Sequence, residues 1–171
     1  MMKPYFEELS KSHEKIRTRL PDTFVVKERS LDGSERKVRL IDMGKGHTES
    51  DLIMYLPDEG ILFAGDLVFN NHHPYLGDGY PSEWKRALTE LGSMDISAVV
   101  PGHGEPGGIE IIRATQEYIE SLEKTVERMM NERKGMDDLM SVRIPERYED
   151  WWLANYFHSN FDRLFQDALR R

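Results

Sequence analysis

Three short segments constrain this chain more than anything else in it: Gly46-His47-Thr48, Phe63-Ala64-Gly65-Asp66 and Val100-Pro101-Gly102-His103-Gly104. The runs Ile61-Leu62-Phe63-Ala64 and Ile96-Ser97-Ala98-Val99-Val100 are apolar and partly β-branched, and each is stopped by Gly or Pro-Gly, which reads as a buried strand. Each strand therefore delivers its imidazole or carboxylate at its end. Glycine beside Asp66 and on both sides of His103 lets the backbone turn and come close to a bound ion without interference from a Cβ. Imidazole and carboxylate together suit zinc, iron or manganese. Taken singly, a His before Thr is usually a cap neighbour and a Gly-Asp after a strand is most often a turn. The ordered set of three carries the metal reading.

With 171 residues, 39% apolar and 32% charged, the chain is long enough to bury a core, and a single domain over residues 1–171 is expected. The net charge of −8, with basic residues scattered, argues against generic binding to nucleic acid or to an anionic membrane, both of which recruit positive surface. Cysteine is absent, so neither disulfides nor thiolate metal sites contribute. The N-terminus lacks the apolar stretch of a secretory signal, and no apolar run approaches the roughly 20 residues of a membrane span. A cytoplasmic location is the expectation.

Periodicity supplies the architecture. Tyr5, Phe6, Leu9, His13, Ile16 and Leu20 recur at helical steps, predicting an amphipathic helix over 4–20 that ends at Pro21. Thr23 to Leu31 and Ser34 to Met43 flank Asp32-Gly33, a tight-turn pair that predicts a hairpin. Asp51 to Leu56 and Gly60 to Ala64 flank Pro57-Asp58-Glu59, a second hairpin whose exit holds Asp66. A helix through Leu91 follows with Ser82 as N-cap and Trp84, Ala87, Leu88 and Leu91 on one face, and Ile96 to Val100 returns as a strand. His47, Asp66 and His103 then share one end of one sheet.

From Gly108 a long helical pattern shows an apolar stripe from Ile109 through Ile112, Tyr118, Ile119, Leu122 and Val126 to Met129, with Gly135 as a stop. Asp137 is a candidate cap, Pro145 a break, and Ser159 with Asp162 resembles a capped helix start before a last helix through Leu169. Residues 109–171 thus form the helical C-terminal part of the same domain. His72-His73 lies just beyond Asp66 in a Pro- and Gly-rich loop. Two readings stand there: a rigid turn in which one histidine hydrogen-bonds locally, or a loop that borders substrate.

The order Gly-His-Thr, Gly-Asp, Gly-His resembles the second half of the metallo-β-lactamase fold superfamily of hydrolases, over roughly residues 36 to 108. His47-Thr48-Glu49-Ser50-Asp51-Leu52-Ile53-Met54-Tyr55-Leu56-Pro57 and His73-Pro74-Tyr75-Leu76-Gly77-Asp78-Gly79 look like bacterial members of unassigned substrate. The resemblance implies an αββα sandwich with a mainly antiparallel or mixed sheet, of which this α/β chain supplies one half. It makes His47 a ligand of a first metal, Asp66 the bridging and catalytic carboxylate, and His103 a ligand of a second, with zinc, iron or manganese as the metal. His72 and His73 become candidates for the substrate loop.

The His-x-His-x-Asp-His loop that supplies the family's other ligands occurs nowhere in the sequence. A catalytic zinc holds about three protein ligands plus water, so the site expected here is incomplete and the isolated chain can lack metal. In the intact family two sheets pack face to face, which leaves the inner face of this one bare. A second copy packing sheet on sheet is the first expectation, since closed dimers dominate soluble oligomers. A chain carrying the upstream half, or the tail with Trp151, Trp152, Tyr156, Phe157, Phe161 and Phe165, are the other possible covers. Two functions follow: a hydrolase in which metal-bound hydroxide attacks an ester, thioester, lactone or amide carbonyl, or a silent truncated homologue that oligomerises or binds a partner.

Overall fold

The computed structural model describes residue 11 and residues 17–170, so the helix expected over 4–20 lies almost wholly outside the described residues. Arg17 to Leu20 are described and are not helical. The elements are β1 (Glu28–Asp32), β2 (Lys37–Gly44), β3 (Asp51–Leu56), β4 (Ile61–Phe69), α1 (Pro81–Leu91), β5 (Ala98–His103), α2 (Ile109–Asn131), α3 (Met136–Met140), a 3-10 turn (Glu146–Tyr148) and α4 (Asn155–Leu169). The five strands lie in sequence order in one sheet. All neighbours are antiparallel except β4 and β5, whose parallel pairing needs a crossover, and α1 supplies it.

The first hairpin turns through four residues rather than two. Asp32 pairs with Lys37, and the Gly33 N–H donates to Arg36 O at 2.9 Å. This register puts Glu28 and Arg39 on one face, where the guanidinium meets the carboxylate at 2.6 Å and 2.8 Å. β1 starts at Glu28, five residues later than the pattern suggested, and Phe24 and Val26 before it are exposed. Ser82 does not cap α1: Pro81 occupies the first turn, where its fixed φ and missing N–H cost nothing, and Tyr80 stands at the cap.

The helical half follows its stripe with shifted ends. α2 buries Ile111, Ile112, Thr115, Tyr118, Ile119, Leu122, Val126 and Met129, and it stops at Asn131 rather than at Gly135. Gly135 instead opens α3, with its N–H on Asp138 Oδ2 at 3.0 Å, so Asp138 and not Asp137 serves that end. Ser159 lies inside α4, which begins at Asn155, and its hydroxyl donates to Tyr156 O at 3.0 Å. Among the described residues no helix is long and apolar enough to cross a membrane.

One face of the sheet carries the core. Ile53, Tyr55, Leu62, Ala64 and Val99 point into a cluster with Trp84, Ala87, Leu88 and Leu91 of α1 and Ile112, Tyr118 and Ile119 of α2. α4 packs on α2 and α3, burying Phe157 and Phe161 there, so the aromatic tail covers the helices and leaves the sheet's other face alone. On that other face Leu40, Met54, Phe63 and Val100 align in one row across four strands. None of the four belongs to the core cluster. Phe63 is 36% exposed, and Leu52 on the same face 49%.

Candidate functional site

The site stands at the sheet's end where β4 and β5 run parallel. β4 does not stop at Ala64 as its sequence suggested; it continues to Phe69, and Asp66 lies inside it. Gly65, with φ +53, makes the difference, because a left-handed residue bulges a strand and re-aims its side chains without ending it. The ladder with β5 shifts on either side of Gly65. Thr115 of α2 repairs the gap: its Oγ1 accepts the Phe69 N–H at 3.1 Å, deep in the core.

His103 closes β5 and sits opposite Phe69 in register, and the two rings stack at 5.1 Å and 12°. Its Nε2 lies 3.6 Å from Asp66 Oδ1. Gly102 makes that approach possible, since a Cβ there would stand 1.9 Å from Asp66 Oδ1. The imidazole and carboxylate therefore sit side by side because one residue between them has no side chain.

His47 reaches the same region from the loop between β2 and β3. Its ring meets Trp84 edge-on at 5.2 Å and lies 6.2 Å from that of Phe69. The loop is fixed at both ends. Asp51 accepts the Thr48 hydroxyl at 2.7 Å, and Gly46 O accepts the Tyr80 N–H at 2.8 Å, tying the loop to the start of α1. Phe69 and Trp84 are thus the scaffold of the site. The sequence marked Trp84 as a core residue and Phe69 not at all; the apolar run Leu67-Val68-Phe69 beyond Asp66 was the available signal.

The two histidines of the next loop part company. His72 is half-buried, 6.0 Å from His103 between ring centres, and its Nδ1 donates to Asn70 O at 2.7 Å, which leaves the Nε2 lone pair for other work. His73 is fully buried and turned into the helical layer, away from the other histidines. Its Nε2 is 3.1 Å from Tyr148 O, which only accepts, so Nε2 carries the proton and Nδ1 accepts from Tyr118 Oη at 2.9 Å. Asn160 Nδ2 donates to that same Tyr118 oxygen at 3.4 Å.

Burial pushes the His73 pKa down, the carbonyl of Tyr148 opposing it only in part. Burial also raises the Tyr118 hydroxyl, so it stays a donor. The folded protein therefore binds the His73 proton less readily than the unfolded chain. Stability is full above the unfolded value of about 6.5 and falls as pH drops below it. A lower urea midpoint at pH 5.5 than at pH 7.5 is expected, with the difference reduced in His73→Gln; an unchanged difference would remove His73 as its source.

A family model of the metallo-beta-lactamase superfamily matches residues 1–103, which end on His103 itself. The chain belongs to the metallo-beta-lactamase superfamily. Among curated members of the superfamily, a metallo-beta-lactamase type 2 of Bacteroides fragilis is 36% identical over 104 residues, covering 56% of this chain and 41% of that protein. A probable metallo-hydrolase of Bacillus subtilis (strain 168) is 30% identical over 104 residues, 54% of this chain and 31% of that one. The solved metallo-beta-lactamase from Pontibacter korlensis superposes with a TM-score of 0.54 at 25% identity, over 66% of this chain and 54% of that one. The chain thus spans well under half the length of these two curated relatives, and its mixed five-stranded sheet with helices is the superfamily's α/β fold.

Whether the residues present suit the metal implied by the superfamily is a matter of ligand number. Among the described residues no group of three or more His, Asp or Glu is arranged to hold an ion. Asp66 and His103 are adjacent, while the His47 ring lies 6.2 Å from that of Phe69, on which His103 stacks. A zinc centre takes three or four protein ligands. The described part of this superfamily member does not make one by itself.

Proposed function

We propose that the chain is the His47–Asp66–His103 module of a metal-dependent hydrolase acting on an ester, thioester, lactone or amide, and that it becomes competent when a further polypeptide segment brings the missing ligands. The observation that carries the reading is Asp66 within β4 against His103 at the end of the parallel strand β5, an approach that Gly102 permits. Zinc suits imidazole and carboxylate ligands, and iron or manganese are the alternatives. Asp66 is the carboxylate placed to serve the assembled site.

The segment belongs on the sheet face that no helix among the described residues covers. The row Leu40, Met54, Phe63 and Val100 is uncharged, and the relatives possess more than twice the length that this chain matches in them. The occupant is therefore the remainder of the relatives' fold, on the same or a separate polypeptide, and a second copy of this chain is the competing occupant. A silent partner-binding domain is the second reading, favoured by the same apolar row and by the missing third ligand.

Zinc retained after dialysis against metal-free buffer, measured per chain by elemental analysis, tests this. The chain alone is expected to hold far less than one equivalent. Joined to a segment carrying His-x-His-x-Asp-His it is expected to hold near-stoichiometric zinc, and His103→Ala to lower that affinity at least tenfold. Stoichiometric zinc in a dimer of the chain alone would make the second copy the occupant. No zinc in either form would leave the silent domain.

A further inference from the structure

The tandem Trp151-Trp152 is divided between core and surface in a way the metal module does not use. Trp151 turns inward, its ring 4.7 Å from Tyr148, 5.5 Å from Tyr118 and 5.8 Å from His73. Trp152 turns outward and is 71% exposed, the most exposed tryptophan described. Opposite directions for consecutive residues are what an extended backbone imposes. Burying Trp151 therefore commits Trp152 to its position.

That position is beside the site. Trp152 pairs with His72: its N–H donates to Asn71 O at 2.9 Å, and its carbonyl accepts the His73 N–H at 2.9 Å. The indole lies nearly parallel to the His72 ring, 6.4 Å away at 21°. His72 in turn is 6.0 Å from His103. On both sides of this pairing a residue other than glycine is left-handed, Asn71 at φ +52 and Leu153 at φ +62. Left-handed leucine is uncommon, and such backbone persists only where the surroundings over-determine it. The surroundings here fix the backbone that carries a large exposed apolar ring beside His72.

We propose that Trp152 is the apolar wall of the substrate site, selecting carbonyl substrates whose acyl side carries an aromatic or other flat apolar group. The inference rests on the hydrolase reading for the identity of the carbonyl and on Trp152 itself for the rest. A flat group laid on the indole gains buried area and offset-stacking geometry, while its carbonyl lies toward His72, whose ring is 6.0 Å from that of His103. Trp152 lies beyond the family match, which ends at residue 103, in the segment that leads into α4.

Phenylacetamide and acetamide are suitable probes, being neutral carbonyl compounds that differ by one ring. Their binding to the chain is followed by tryptophan fluorescence and by the NMR resonances of the His72 and His103 rings. Phenylacetamide is expected to bind, to quench fluorescence and to move the His72 resonances. Trp152→Ala is expected to weaken it about tenfold or more, a loss in line with one stacked aromatic and its buried area. Trp152→Phe should restore most of the affinity, and acetamide should respond to neither. Equal affinity in Trp152→Ala, no binding to the wild-type chain, or binding without a shift at His72 would each overturn the wall. Zinc uptake by the joined protein is read separately: if it fails while phenylacetamide still depends on Trp152, the hydrolase reading falls and the aromatic subsite stands.

Discussion

Trp84→Ala is expected to remove about 3–5 kcal/mol of unfolding free energy, the range for truncating a fully buried large aromatic. Trp84 has no exposed surface, and its indole N–H donates to Leu67 O at 2.9 Å, joining α1 to the bulged part of β4. The cavity would open directly behind the site, because the same ring supports His47 edge-on at 5.2 Å and lies 6.4 Å from Phe69. Urea unfolding measures the loss. The His47 ring resonances should broaden or move in the same variant while those of His73, in the helical layer, hold their place. A loss below about 1 kcal/mol, the size of an ordinary surface-to-moderate substitution, would mean that the core closes over the gap and that α1 does not carry the site.

Asn160→Ala is the second large effect, expected at about 2–4 kcal/mol because it orphans buried partners as well as removing bonds. Asn160 is fully buried on α4, accepting the Leu76 N–H at 2.8 Å and donating to Pro74 O at 2.8 Å. These bonds fasten the loop after His73 to the tail. The Leu76 amide should exchange with solvent much faster in the variant, and a mixture of loop conformations should appear at His72. An unchanged Leu76 exchange rate would show that His73, with Tyr118 and Tyr148, anchors the loop without help.

Both variants act through contacts between segments far apart in the chain, and that is where reading from sequence thins out. The alternation of Asp51 to Leu56, the stop at Pro57 and the stripe from Ile112 to Met129 are local signals, and the corresponding strand and helix are found within a few residues of their expected ends. Capping was read less well. Ser82, Ser159 and Asp137 have the right chemistry, yet Pro81 sets the start of α1, Asn155 begins α4 and Asp138 serves α3, because packing decided where each helix could begin.

The sequence by itself determined that Asp66 and His103 would come side by side on neighbouring strands of an α/β sheet, because glycine placement and strand order are written along the chain and strand neighbours follow from short connections. It also determined that the sheet would need a layer on each face, since alternating apolar positions need two layers, and among the described residues the helices pack on one. Only the tertiary structure decided that β4 runs on through Gly65 to Phe69, that His72 faces the site while His73 vanishes into the helical layer, and that Trp152 stands beside them. Adjacent residues of one kind carry identical local signals. Which of the two is buried depends on partners such as Tyr118 and Tyr148, dozens of residues away, whose hydrogen bonds exist only once the layers have packed.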